Sequence, residues 1–287
     1  MKQLLILSGK GGTGKTTTAA SFIQFSNTDT FADCDVDAPN LHLVTHMNCE
    51  PQKKPYLGSE KAYINPDLCI GCGRCMANCR FDSIFQEDGH CCVNLFACEG
   101  CGVCTAVCPA AAIEMKEDVA GELMLYQNKN KTFSTAKLKM GRGNSGKLVT
   151  EVKAGMWGNK KECPLAIIDG SPGIGCPVIA SISGVDMVLI VAEPSLSGMS
   201  DMERILKTCS IFGTKAGVCV NKFDTCPENA EAIRQFCLDN DLPFLGTIPY
   251  DSHVPEAVNR GESIADIDCP ARDALLGIYE NVKNILL

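Results

Sequence analysis

Three observations predict an α/β chain whose open, doubly wound, mainly parallel sheet is interrupted by a small α+β module. Short apolar runs alternate with helical stretches along most of the 287 residues. Strands separated by helices build parallel βαβ units, which carry ligands at the carboxyl ends of their strands. One stretch, from about 55 to 118, breaks that alternation and holds ten of the nineteen cysteines. Charge marks the same division: residues 60 to 118 carry four Lys or Arg against nine Asp or Glu, and residues 129 to 161 carry nine against one. The chain therefore reads as a core of residues 1–54 and 119–287, split by an insert of residues 55–118.

Composition narrows the chemistry. A chain this long, with 45% hydrophobic residues, does not need a disulfide framework, so so many cysteines point to metal and to a reducing cytoplasm. No 18-residue apolar run occurs, and the opening MKQLLILS is too short for a signal peptide. Membrane insertion is not expected. A net charge of -8 argues against binding a phosphate backbone, so nucleic acid is not an expected partner.

Taken in order, the first strand is the apolar run Leu4 to Leu7, and a helix over 15–26 follows it. Thr30 to Cys34 reads as the second strand. Beyond the insert come a helix over 146–155, the strand Leu165 to Asp169 and a helix over 176–183. The strand Met187 to Ala192 precedes a helix over 198–212, and Ala216 to Asn221 precedes one over 228–240. Phe244 to Ile248 is the last strand, before helices over 253–260 and 271–286.

Between the first strand and helix lies Gly9-Lys-Gly-Gly-Thr-Gly14-Lys15-Thr16, which fits G-x-x-x-x-G-K-[ST] in the strand–loop–helix context that gives the motif its meaning. Backbone N–H groups of Gly11, Gly12, Thr13, Gly14, Lys15, Thr16 and Thr17 would wrap phosphate oxygens at a helix N-terminus. Lys15 would reach the β/γ-phosphates and Thr16 would ligate Mg²⁺. The expected ligand is thus ATP with Mg²⁺.

The second lysine of KGGTGKTT, Lys10, makes the loop resemble the deviant Walker A loop of the MinD/ParA and nitrogenase iron-protein superfamily. That resemblance implies that Lys10 contacts nucleotide across a dimer interface, in a homodimer or a heterodimer with a sister ATPase. Asp33-Cys-Asp35-Val-Asp37 resembles switch I, with Asp35 orienting the attacking water and Asp37 a weaker substitute. Asp169-Gly-Ser-Pro-Gly173-Ile-Gly175 resembles switch II, with Asp169 supporting Mg²⁺ and the Gly173 N–H directed at the γ-phosphate. Asn221 and Lys222 match the family's base-contacting position, and Pro249 with Asp251 matches the loop flanking adenine. On this resemblance Lys10, Lys15 and Asp35 are the catalytic residues of an ATPase stimulated by a partner.

Within the insert, Cys69, Cys72, Cys75 and Cys79, then Cys98, Cys101, Cys104 and Cys108, each follow C-x₂-C-x₂-C-x₃-C, the bacterial ferredoxin spacing, in which the fourth cysteine ligates the other cluster. Cys69, Cys72, Cys75 and Cys108 should hold one [4Fe-4S] cluster, and Cys98, Cys101, Cys104 and Cys79 the other. Zinc is the alternative occupant of paired C-x₂-C motifs, and two interleaved sets count against it. Arg80 follows Cys79 where the ferredoxin pattern has proline. Cys91 and Cys92 fit neither set and read as hairpin residues. The nested order of the two signatures resembles MinD-superfamily ATPases with an inserted 2[4Fe-4S] ferredoxin domain, related to Mrp-type proteins.

Cys176 begins the helix after Asp169, at the offset of a cluster ligand in the nitrogenase iron protein. It reads as a bridging-cluster ligand, a nucleotide-sensitive thiol or a packing residue. The basic segment 129–161 reads either as a solvated loop and helix or as a docking surface, with Trp157 an anchor or a core residue. The expected function is ATP-dependent electron transfer through two [4Fe-4S] clusters to a redox partner. The alternative is an assembly or carrier ATPase that hands clusters or a metallocofactor to a partner protein.

Overall fold

The computed structural model describes every residue except 46, 48, 129–130 and 158–162. Lys129, Lys160 and Lys161 of the basic segment therefore lie outside the described residues. The chain forms two compact units: Met1–Lys53 with Leu123–Lys137 and Ser145–Leu287, and Lys54–Glu122 with Leu138–Asn144.

The strands, in chain order, begin with β1 (Lys2–Leu7), β2 (Thr30–Asp33), β3 (Gln52–Leu57), β4 (Lys61–Ile64), β5 (Ile84–Glu87), β6 (His90–Val93) and β7 (Ile113–Lys116). They continue with β8 (Val119–Gln127), β9 (Thr132–Leu138), β10 (Leu165–Asp169), β11 (Met187–Ala192), β12 (Lys215–Asn221) and β13 (Phe244–Ile248). The helices are α1 (Lys15–Ser26), α2 (His42–Thr45), α3 (Arg74–Ala77), α4 (Val103–Val107) and α5 (Ser145–Gly155). After them come α6 (Cys176–Ile182), α7 (Leu196–Ile211), α8 (Pro227–Asp239), α9 (His253–Asn259) and α10 (Pro270–Leu286).

The large sheet has the order β13-β12-β11-β1-β10-β2-β9-β8-β3, and the chain crosses between its units along β3 and β8 and at the end of β9. The pairs from β13 through β9 are all parallel. Central strands buried on both faces need continuous apolar runs, and β1, β10 and β11 supply them as LLIL, LAII and MVLIVA. The chain runs from β1 to β2 in one direction and from β10 to β11 in the other, so the sheet reverses around β1 and β10. Ligand crevices of doubly wound sheets open at such a reversal.

Six strands of this sheet are legible as apolar runs, and three are not. The strand β9, TFSTAKL, buries Thr132, Ser134 and Thr135, polar residues that do not stand out as a core strand. It corrects the reading of the basic segment as loop and helix: seven of its residues, Thr132–Leu138, form a sheet strand ahead of the helix. Lys153 of α5 is no surface charge either, since it donates to the carbonyls of Ser181 at 2.7 Å and Ala180 at 3.3 Å. A cation at a helix C-terminus satisfies orphan carbonyls. Trp157 is 47% exposed, which removes the core-packing alternative.

The second unit contains two antiparallel pairs, β4 with β7 and β5 with β6, and the short helices α3 and α4. Its core is built around cysteines, with Cys75, Cys91 and Cys98 buried among Ala62, Ile64, Ile84 and Ile113. The expected insert of residues 55–118 is extended to Glu122 and by residues 138–144. Arg142 explains the second extension: it pairs with Asp118 at 3.1 Å, donates to the Leu95 carbonyl at 2.7 Å and lies over the Phe96 ring.

Candidate nucleotide and thiol sites

The loop after β1 reaches α1 through Gly12 and Gly14, both with positive φ. At Gly14 a side chain is excluded twice, by φ +91 and by the Asn221 amide nitrogen, 2.3 Å from where a Cβ would stand. That close approach lets the Asn221 amide donate to the Thr13 carbonyl at 2.8 Å, which ties the end of β12 to the loop. Lys222, with φ 53, donates to the Gly12 carbonyl at 3.1 Å. Gly11 and Thr17 belong to the same turn and first helical turn.

Lys15 and Thr16 meet Asp169 at the end of β10. The Lys15 ammonium lies 2.6 Å from one Asp169 oxygen, and the Thr16 hydroxyl donates to the other at 2.7 Å. Burial opposes the lysine charge, yet the Asp169 charge and hydrogen bond outweigh it and hold the Lys15 pKa above its ordinary value. Asp35 lies 3.8 Å from the same ammonium. Burial raises the Asp35 carboxyl, and Lys15 opposes that rise. Thr16 and Asp169 thus converge as the two oxygen donors expected for Mg²⁺, a donor set that suits a hard cation.

Asp33, which the sequence reading quoted only as part of switch I, organises that loop. Its carboxylate accepts from the backbone N–H of Asp35 at 2.9 Å and of Asn40 and Leu41 at 3.0 Å. An acidic residue closing a buried strand before a turn was the available signal.

Two expected phosphate contacts are otherwise engaged in this conformation. The Gly173 N–H donates to the Ser8 carbonyl at 2.9 Å. Lys10 reaches Ser195 at 3.2 Å, Ser197 at 3.1 Å and the Glu193 carboxylate at 3.3 Å. Glu193 also pairs with Lys222 at 3.1 Å, a role that the sequence did not reveal.

Pro249 directly follows β13, but Asp251 has structural work of its own. It accepts from the His253 N–H at 3.0 Å, the His253 ring at 2.7 Å and the Ala271 N–H at 3.2 Å, joining the starts of α9 and α10. Burial would raise its pKa, and these bonds overcome that and hold it at about 2. Asp224 supports the same loop by accepting the Tyr250 N–H at 2.8 Å. Cys176 is exposed at the start of α6, where Gly146 of α5 allows the two helices to approach.

In the second unit the eight motif cysteines fall into two cavities. One is lined by Cys69, Cys72, Cys75 and Cys108, the other by Cys98, Cys101, Cys104 and Cys79. The structure brings together the interleaved sets expected from the spacing. Backbone N–H groups point at sulfur in the first cavity, from Cys91 to Cys69 at 3.5 Å and from Ala112 to Cys108 at 3.3 Å. The N–H groups of Cys91 and Gly71 lower the Cys69 pKa. In the second cavity the Ser83 hydroxyl lies 3.1 Å from Cys79 Sγ. Four convergent sulfurs met by N–H donors fit a thiolate-ligated cluster.

Cys91 adds to the hairpin reading. It does lie on the β5–β6 hairpin, but it is buried at 4% exposure and lines the first cavity with the four expected ligands. Cys92, also on β6, is half-buried.

Comparison with known proteins supports the nucleotide site. Residues 4–264 match the model of the CobQ/CobB/MinD/ParA nucleotide binding domain. An uncharacterized protein of Methanocaldococcus jannaschii is 29% identical over 291 residues, covering 99% of this chain and 97% of that relative. The Nubp1 homolog of Drosophila pseudoobscura pseudoobscura, a cytosolic Fe-S cluster assembly factor, is 23% identical over 148 residues, 45% of this chain and 47% of its own. Among solved structures, the septum site-determining protein MinD of Pyrococcus horikoshii, complexed with Mg-ADP, superposes with a TM-score of 0.59 at 17% identity over 99% of this chain and 96% of that one. The family model spans most of the chain, including the loop after β1 and the end of β10: the chain belongs to the CobQ/CobB/MinD/ParA nucleotide-binding domain family.

Proposed function

We propose that this protein is an Mg²⁺-dependent ATPase of the MinD/ParA type that couples its nucleotide state to electron transfer through two [4Fe-4S] clusters. The convergence of Lys15, Thr16, Asp169 and Asp35 at the carboxyl ends of β1, β10 and β2 carries the ATPase half of this reading. The two four-cysteine cavities support the redox half.

In the nucleotide site, Lys15 would counter the β/γ-phosphate charge, and Thr16 and Asp169 would hold Mg²⁺. Asp35 orients the attacking water. Lys10 leaves Glu193 to contact nucleotide bound by the second subunit, a copy of this chain or a sister ATPase. Asn221 and Lys222 contact the base, Pro249 flanks it, and Gly173 turns its N–H from Ser8 towards the γ-phosphate. In the second unit Cys69, Cys72, Cys75 and Cys108 would hold one cluster, and Cys98, Cys101, Cys104 and Cys79 the other. Bound there, the clusters supply one-electron chemistry.

Similarity to the Fe-S assembly factor from Drosophila favours a second reading, in which the ATPase passes a cluster to an acceptor protein. One anaerobic experiment separates the two. The protein is reduced, and both the cluster potentials and iron-55 transfer to an apo-ferredoxin are followed with ATP and with ADP. Nucleotide-dependent potentials without iron transfer support electron delivery; iron transfer with unchanged potentials supports the carrier. Absence of ATP hydrolysis and of bound iron sinks both.

A further inference from the structure

The second unit is an internal repeat in space as well as in sequence. Displacing residue numbers by the offset from Cys69 to Cys98 maps β4 onto β6, α3 onto α4 and β5 onto β7. The same offset maps Asn65, whose carbonyl accepts the Cys69 N–H at 3.1 Å, onto Asn94, whose carbonyl accepts the Cys98 N–H at 3.0 Å. It pairs Cys75 with Cys104 and Ser83 with Ala112, each in the matching cavity.

The repeat fails at one chemically important place. Ala62 lines the cavity of Cys98, Cys101, Cys104 and Cys79, and its counterpart in the other cavity is Cys91. Both positions are buried, at 2% and 4% exposure, so a methyl group suffices to fill this wall. The Cys91 side chain packs with Cys75 in one buried cluster and lines the cavity beside the four motif cysteines, and its N–H is directed at Cys69 Sγ at 3.5 Å. A fifth sulfur therefore lines the first cavity, whereas the residues lining the second include four cysteines and Ala62.

We propose that Cys91 is a reserve iron ligand for the site of Cys69, Cys72, Cys75 and Cys108, able to take over the iron position of Cys75. This rests on the cluster reading given above. In the exchange, the iron–Sγ bond of Cys75 breaks and an iron–Sγ bond of Cys91 forms, while the Cys91 thiol proton passes to the departing Cys75 thiolate. No electron is gained or lost. The site then withstands loss or oxidation of Cys75, whereas its twin, with Ala62 at this position, has no substitute for Cys104.

The test compares matched variants of the full chain, reconstituted anaerobically with iron and sulfide and read by iron content and by electron paramagnetic resonance after reduction. The unsubstituted protein should hold about eight irons in two clusters; if it holds none, the cluster reading fails and this inference with it. Cys75→Ala should keep about eight, Cys104→Ala should fall to about half, and Cys75→Ala with Cys91→Ala should also fall to about half. Ala62→Cys added to Cys104→Ala should restore the lost cluster, which guards against a fold defect. If the unsubstituted protein holds both clusters and Cys75→Ala loses iron as Cys104→Ala does, Cys91 is no ligand and only the inference is overturned.

Discussion

The Lys15 ammonium and the Asp169 carboxylate form a buried ion pair 2.6 Å long between the first turn of α1 and the end of β10. Asp169 is fully buried and Lys15 nearly so, and each is the other's main counter-charge. Removing one member of such a pair leaves a buried charge unmatched, which typically costs about 3–5 kcal/mol. Asp169→Asn should lower the urea midpoint by a cost of that order and abolish the Mg²⁺ dependence of ATP binding. An unchanged midpoint in equilibrium denaturation would show that the pair has no structural weight.

Asp35 lies near the same ammonium but is not its main partner, so its loss should spare both the fold and nucleotide affinity. Asp35→Ala should bind ATP normally and hydrolyse it about 10²–10⁴-fold more slowly, the range expected for a group that positions a reacting water. Isothermal titration and single-turnover hydrolysis on one preparation would separate the two effects. Full hydrolysis would move the role to Asp37.

Lys10 and Lys222 share Glu193, at 3.3 Å and 3.1 Å. In the proposed dimer Lys10 turns to the second subunit's nucleotide and gives up its contact with this carboxylate. Glu193→Gln should raise the fraction of ATP-bound dimer at a given protein concentration, and Lys10→Ala should eliminate it. Sedimentation velocity with ATP and ADP reads both. A Glu193→Gln protein that dimerises no better than the parent would show that the contact does not restrain Lys10.

Asp251 provides a pH test. Its folded pKa, about 2, lies below the ordinary carboxylate value, so ionised Asp251 favours the folded state. That contribution is present in full above about pH 4 and disappears as pH falls through about 2. Asp251→Asn should destabilise the protein at neutral pH by about 1 kcal/mol, as for loss of a helix cap, and the gap to the parent should close on acidification. Thermal unfolding at pH 7, 4 and 2.5 measures this; a constant gap would contradict the assignment.

Gly100 supplies a packing test in the second unit. Its φ is +71, and an added Cβ would stand 2.1 Å from the Glu60 carbonyl oxygen, a backbone atom that cannot swing aside. Gly100→Ala should reduce iron retention at the site of Cys98 and Cys101. Gly102→Ala, with a positive φ but its nearest neighbour 4.0 Å away, should do less harm.

The sequence made much of the architecture legible because buried parallel strands must be continuously apolar: β1, β10 and β11 could be bounded almost to the residue. It concealed β9, whose buried hydroxyls lack that signature. Spacing anticipated which four motif cysteines line each cavity, because the C-x₂-C-x₂-C-x₃-C pattern keeps three of them close and sends the fourth across. Spacing could not reveal Cys91, which reaches its cavity from across a hairpin. Similarly, Glu193 acts through Lys10 and Lys222, which only the fold brings near, whereas Asp33 holds the loop that directly follows it. The basic segment misled because charge was counted along the chain, while Lys153 and Arg142 each neutralise a local set of oxygens.

Arg142 has a practical consequence for anyone seeking to isolate the cysteine-rich unit. A clone bounded at residues 54 and 122 would look complete by its motifs, yet it would omit the guanidinium that clasps Asp118, Leu95 and Phe96. The missing piece is seven residues long, Leu138–Asn144, and returns only after the polypeptide has contributed β9 elsewhere. A separable miniature protein would need that segment grafted back through a linker. Excision by motif boundaries alone should yield a fragment more open to proteases than the same residues in the parent.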